Sequence, residues 1–269
     1  MNKTVKDLMH QGLITCPPEA SLGQVAVLLS HHRVHALIVA DREDQPLGII
    51  SDFDLLAGEW LSVDSISLDA MRKMTARELM TSPIATIEAS TLIVAASKTM
   101  IDTNVHRMLV TENGKPVGVI SISNFVADIA SQEKLKRETV GDVMSDAFLV
   151  CRDQTLVTSA ARTITQAGWR SVLVVDSHGK PLGVVSGKNL IHYAGTNVGN
   201  LKVSDVMNKN LLTIDMNASL QEAANLMINN HRHRVIVIDT NDPESFPLGV
   251  ISSVDIVAEM ARLGSVWQR

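Results

Sequence analysis

The chain has 269 residues, 45% hydrophobic and 20% charged, a balance that builds a folded core and excludes a disordered chain. Lys and Arg number 24 against 29 Asp and Glu, giving a net charge of −5. No overall field therefore draws the protein to nucleic acid or an anionic membrane, and any anion site must be a local cluster.

In chain order, the first phrase is Asp7-Leu8-Met9, followed by a short extended segment containing Thr15. Leu22, Val25, Ala26 and Leu29 then recur at i, i+3, i+4 and i+7, which predicts an amphipathic helix with Ser21 at its N-cap. The continuous apolar run 36–39 reads as a strand covered on both faces, and Gly48-Ile49-Ile50-Ser51 as the next strand. Ser51 opens a second helix through Asp54-Leu55-Leu56.

The same order returns three times. Glu78-Leu79-Met80, Thr86, the apolar run 108–110, Gly118-Val119-Ile120-Ser121 and Asn124-Phe125-Val126 make the second copy. The third has Asp142-Val143-Met144, Leu149 at the Thr position, a helix on Val157, Ala160, Ala161 and Ile164, then Gly183-Val184-Val185-Ser186 and Asn189. The fourth has Asp205-Val206-Met207, Thr213, a helix on Leu220, Ala223, Ala224 and Met227 capped by Ser219, then Gly249-Val250-Ile251-Ser252 and Asp255. The lead glycines stand 70, 65 and 66 residues apart, so the chain is a fourfold repeat. The turns Asn113-Gly114-Lys115-Pro116 and His178-Gly179-Lys180-Pro181 separate the paired strands.

The expected fold is mixed α/β, four β-α-β-β-α units. One unit of about 60 residues buries too little surface to stand comfortably alone, so units pair sheet to sheet. The polar stretch 131–138 divides the chain into halves of two units, and the unit boundaries fall at 1–66, 67–134, 135–198 and 199–269.

Two readings of the Ser-x-x-Asp/Asn phrase compete. Ser at an N-cap with an acid at the third helical position is a helix cap. The same carboxylate can accept hydrogen bonds from ribose hydroxyls. A cap tolerates Asp or Asn alike, whereas a ribose clamp needs the charge of Asp54 and Asp255 and is weakened at Asn124 and Asn189. Six residues before the acid that follows each apolar strand stand His35, His106, Arg170 and His233, and the second and fourth copies continue with Arg107 and Arg234. Arg offers a planar fork matched to phosphate oxygens, and His a donor whose charge a nearby anion can raise. The plain alternative is a solvated strand end. No cysteine pair or carboxylate completes a metal set around the run His231-Arg232-His233-Arg234.

These phrases resemble CBS domains, named after cystathionine β-synthase, whose paired copies form Bateman modules. Two modules without another domain are similar to stand-alone prokaryotic four-repeat proteins and to the γ subunit of AMP-activated protein kinase. The resemblance implies a regulatory adenine-nucleotide sensor for AMP, ADP or ATP, with S-adenosylmethionine as a variant ligand that has ribose but no phosphate. It implies ribose contacts at Asp54 and Asp255, with ribose or phosphate contacts at Ser51 and Ser252 and weaker counterparts at Ser121, Asn124, Ser186 and Asn189. It places adenine beside Thr15, Ile84, Thr86 and Thr213, and phosphates at His106, Arg107, Arg170, His233 and Arg234 contributed by other repeats.

The rivals are weaker. No phosphate-binding glycine loop, nucleophile elbow or CxxC motif is present, so no enzyme and no cofactor are expected. Eight aromatics are too few for single-strand nucleic-acid platforms. An interaction scaffold with vestigial clefts stays open. Cys16 and Cys151 build no disulfide framework, no apolar run reaches the roughly 18 residues that span a bilayer, and the N-terminus lacks a signal-peptide core. A cytoplasmic monomer or homodimer, with no nucleic-acid or membrane partner, is the expectation.

Overall fold

A computed structural model describes residues 3–55, 74–132, 138–167, 169, 171–191, 199–241 and 246–262. Within these residues each repeat has the expected body. A short strand (Thr15–Cys16, Thr86–Glu88, Val150–Arg152, Thr213–Asp215) pairs parallel to the central strand (Ala36–Ala40, Arg107–Glu112, Ser171–Val175, Arg234–Ile238). The central strand pairs antiparallel to the strand that ends at the repeated Ser. The parallel pair needs a crossover, and the amphipathic helix supplies it. In repeats three and four every residue of the expected apolar stripe is buried. Ser21 and Ser219 cap their helices, accepting hydrogen bonds from the backbone N–H of Gln24 and Glu222 at 3.3 and 3.1 Å. Asn113 and Gly114 both have positive φ, the conformation that closes a two-residue hairpin between the second and third strands of repeat two.

The parallel register corrects one position. Thr15, Thr86 and Thr213 face Ile38, Leu109 and Ile236, and their counterpart facing Leu173 is Val150, not Leu149. Leu149 instead takes the place of Ile14, Ala85 and Leu212, whose carbonyls accept from the same central-strand N–H groups.

The Asp/Glu-x-Met phrases, read from the sequence only as leads, form four-residue helices: Val5–Leu8, Ala76–Leu79, Val140–Val143 and Val203–Val206. In the first three, Thr4, Thr75 and Thr139 donate backbone and hydroxyl hydrogen bonds to Asp7, Glu78 and Asp142. These bonds hold the three carboxyls below the ordinary carboxylate range.

Each leader docks on the body of the other repeat in its half. His10–Gln11 adds an antiparallel edge strand to repeat two at Val119 and Gly118, and Thr81 bridges Ile49 of repeat one. Ser145 bridges Val250 of repeat four, and Asn208 bridges Val184 of repeat three. The repeated glycine lies at each of these contacts. A Cβ on Gly48 would come within 2.8 Å of the Thr81 carbonyl oxygen, and one on Gly183 within 2.7 Å of that of Asn208. A Cβ on Gly118 or Gly249 would come closer still to the carbonyls of His10 and Ser145. The recurrence of the glycine is therefore a packing requirement: a neighbouring backbone occupies the side-chain space.

Two compact units result, each gathered from distant parts of the chain: Met1–Gly12 with Ala85–Phe148 and Leu211–Arg269, and Leu13–Ile84 with Leu149–Asn210. In the first, the helices Ile93–Asp102 and Ile122–Ala130 pack on Ser253–Ala261 and Leu220–Asn229, enclosing one core that includes Phe125, Ile129, Met227, Ile256 and Met260. Full burial of each such side chain contributes on the order of 2 kcal/mol. Lys3 of a leader pairs with Asp128, a buried carboxylate that also accepts from Gln132. In the second unit, one apolar cluster surrounds Val25, Leu37 and Ile50, and another surrounds Val157, Val172 and Leu190.

Candidate functional site

The repeated Ser ends a strand and the Asp or Asn lies in the first turn of the next helix, where backbone N–H groups lack intrahelical partners. All four copies make the same pair of bonds from Ser to Asp or Asn, and in repeats one and four the Ser hydroxyl also accepts from the N–H of Asp54 and Asp255 at 3.4 and 3.3 Å. Ser51 donates from its amide and its hydroxyl to Asp54 Oδ2 at 2.7 and 2.6 Å, and Ser252 does so to Asp255 Oδ2 at 2.7 Å each. Ser121 donates to Asn124 Oδ1 at 2.8 and 2.7 Å, and Ser186 to Asn189 Oδ1 at 3.1 and 2.7 Å. Asp54 and Asp255 spend one oxygen on the cap; the other, Oδ1, accepts no hydrogen bond from a described residue. Both residues are half-buried.

The cationic register lies next to this cap within the same repeat. Arg107 is directly opposite Ser121, and Arg234 opposite Ser252, so each Arg shares a sheet face with the motif Ser. The carbonyls of His106 and His233 accept from the N–H of Ile122 and Ser253 at 3.1 and 2.9 Å. His106, Arg107 and Arg234 are half-buried and His233 is exposed. At the same place in repeat one Ala36 faces Ser51, and His35 is held through Nδ1 by Asp52 Oδ2 at 2.8 Å. Asp52 was not singled out from the sequence, although its position between Ser51 and Asp54 was a signal. In repeat three Ser171 faces Ser186, and Arg170 lies outside the described residues. Thr15, Thr86 and Thr213 are exposed on the short parallel strands, and Ile84 is half-buried two residues before Thr86.

The four copies are thus alike in backbone and different in charge. Repeat four carries Arg with Asp, repeat two Arg with Asn, repeat one Asp without Arg. Among the described residues no group of His, Cys, Asp or Glu is arranged to hold a metal ion, and no helix is long and apolar enough to cross a membrane.

The family description "CBS domain" matches residues 5–59, 76–131, 140–195 and 203–262. The chain belongs to the CBS-domain family. Its four matched segments follow the four repeats, the organisation of two Bateman modules. The crystal structure of protein MJ1225 from Methanocaldococcus jannaschii, proposed as an archaeal homologue of g-AMPK, has the same fold: TM-score 0.84 at 18% identity, over 95% of this chain and 99% of that one. Protein MJ1404 of the same organism is 23% identical over 98% of this chain and 63% of its own length. The chloroplastic CBS-domain protein CBSX2 of Arabidopsis thaliana is 26% identical over 71% of this chain and 63% of its own length. The chain spans a little under two thirds of these two curated relatives.

Proposed function

We propose that this CBS-domain chain is a non-catalytic regulatory sensor of adenine nucleotides, AMP, ADP or ATP. The observation that carries the reading is the half-used carboxylate of Asp54 and Asp255. An N-cap needs one acceptor oxygen, which Asn124 and Asn189 also supply, so among the described residues the second charged oxygen in repeats one and four is left for another donor. Ribose hydroxyls are donors of the right kind, and a charge-assisted hydrogen bond is worth roughly 1.5–3 kcal/mol.

In this reading Ser51 and Ser252 flank the ribose, the strands at Thr15, Thr86 and Thr213 with Ile84 line the base, and phosphates meet His106, Arg107, Arg170, His233 and Arg234. The sites at Asn124 with Ser121 and Asn189 with Ser186 bind ribose more weakly, so occupancy is unequal. Ligand binding acts on the chain by favouring one arrangement of the repeats over another, which requires different affinity for the two. The relative CBSX2 has a crystal structure in complex with AMP, which supports the ligand class through the sequence relation. The repeat boundaries 1–66, 67–134, 135–198 and 199–269, a cytoplasmic location and a monomeric or homodimeric state belong to the same proposal.

Repeat one favours a second ligand. It offers Asp54 without an Arg opposite Ser51, which suits a ribose ligand lacking phosphate, such as S-adenosylmethionine. Thermal denaturation with AMP, ADP, ATP and S-adenosylmethionine tests both readings, because a ligand of the native state raises the midpoint. A rise with the three nucleotides is expected. No response to any adenosine compound leaves an interaction scaffold as the function.

A further inference from the structure

Met9, Met80, Met144 and Met207 each end a leader helix, donating a backbone hydrogen bond four residues back. Each thioether packs against the apolar core of the neighbouring repeat. Each also lies against the repeated glycine: the sulfurs of Met80, Met207, Met144 and Met9 are 2.6, 2.9, 3.1 and 3.2 Å from where a Cβ would stand on Gly48, Gly183, Gly249 and Gly118. An atom added between the sulfur and the glycine would crowd both, so the thioether or the leader must give way. The four are half-buried, whereas Met100, Met108, Met227 and Met260 in the core are 1% exposed.

We propose that these four methionines are oxidation sites through which a hydroperoxide reversibly loosens the leaders from the repeats they clasp. The thioether sulfur attacks one peroxide oxygen of hydrogen peroxide. A sulfur–oxygen bond forms, the oxygen–oxygen bond breaks, and the departing hydroxide leaves as water with the remaining proton. Sulfur loses two electrons and peroxide gains them. The product is a polar sulfoxide that a methionine sulfoxide reductase returns to the thioether. A sulfoxide oxygen turned into the seam between leader and body would be partly withdrawn from water, which costs free energy unless a donor meets it. A four-residue helix has too few hydrogen bonds to hold itself, so the leader depends on its backbone bridges to the neighbouring repeat and on this methionine contact together. The fourfold repetition makes every leader respond alike, and the proposal does not depend on the identity of any ligand.

The test treats the full chain with graded hydrogen peroxide and follows peptide mass and amide hydrogen exchange. Met9, Met80, Met144 and Met207 are expected to gain oxygen ahead of Met100, Met108, Met227 and Met260. Exchange protection in 3–12, 74–84, 138–148 and 199–210 should fall by about tenfold and return with methionine sulfoxide reductase. The variant with all four replaced by Leu (M9L, M80L, M144L, M207L) conserves volume and should fold. It keeps the half-buried Met74 and Met216, and its leaders should stay protected under peroxide. Oxidation of the four without loss of leader protection, or equal loss in the leucine variant, overturns the proposal. So does oxidation of the four no faster than that of the core methionines.

Discussion

Repeats two and four share one compact unit and nearly one geometry. Both hold an Arg opposite the motif Ser, and both close the same two-bond cap on the following helix. At the capping position they differ in charge: Asn124 presents an amide where Asp255 presents a carboxylate. Backbone geometry alone therefore cannot separate a cap from a ribose clamp. The difference in charge can, because a cap is indifferent to it.

The largest effect strikes what the two repeats have in common. Gly118→Val and Gly249→Val each drive a side chain into a leader backbone, at His10 and Ser145 respectively. Each should cost about 3 kcal/mol in urea denaturation, in equal measure. Unequal losses would show that the two leaders are not equivalent clasps. Exchanging the differing residues sharpens the contrast next. Asn124→Asp should tighten nucleotide binding by about tenfold while leaving the melting temperature of the free protein within about 0.5 kcal/mol equivalent, since the cap persists. Arg234→Ala should instead change the ranking of AMP, ADP and ATP in competition binding, because a guanidinium reads phosphate and not ribose.

Acid should then affect the leaders of both repeats alike. The leader of Asp7 docks on repeat two and that of Asp142 on repeat four, and hydrogen bonds from Thr4 and Thr139 hold both carboxyls low. Their stabilisation is complete above the unfolded carboxyl range near about 4 and fades as pH falls through the lower folded values. Leader exchange protection followed from neutral pH downwards should weaken there, and Thr4→Ala should move the loss at Asp7 to higher pH. The smallest effect is conformational. After the crossover helices Ile93–Asp102 and Leu220–Asn229, Asn104 and His231 both take the left-handed conformation, with φ at 52°. Asn tolerates that conformation better than His, so His231→Gly should stabilise by about 0.5–1 kcal/mol, and Asn104→Gly by less.

Repetition made most of the fold legible in the sequence. The stripe Leu220, Ala223, Ala224, Met227 and the cap Ser219 repeat a pattern set locally by helical spacing, and the structure buries and caps them accordingly. The leader helices carried a readable signal in Thr4-x-x-Asp7, Thr75-x-x-Glu78 and Thr139-x-x-Asp142, but four residues give no hydrophobic period to find. The docking of each leader on the other repeat was not legible, because the partners of Thr81 and Ser145 are set by packing of distant segments. The same holds for the slip of Leu149 to Val150: Leu149 is apolar like Val150, and only the ladder fixes which of them faces Leu173. Of the candidate site, the type and spacing of Asp54, Asp255, Arg107 and Arg234 were plain. The pairing of His35 with Asp52 required coordinates.

Calorimetric titration of AMP into the wild-type chain and into the double variant Asp54→Asn, Asp255→Asn examines the role of the two charged oxygens most directly. The account predicts measurable binding to the wild type and at least about tenfold weaker binding to the variant, whose helices remain capped. Equal affinity in the two proteins, or no heat from the wild type, would contradict it.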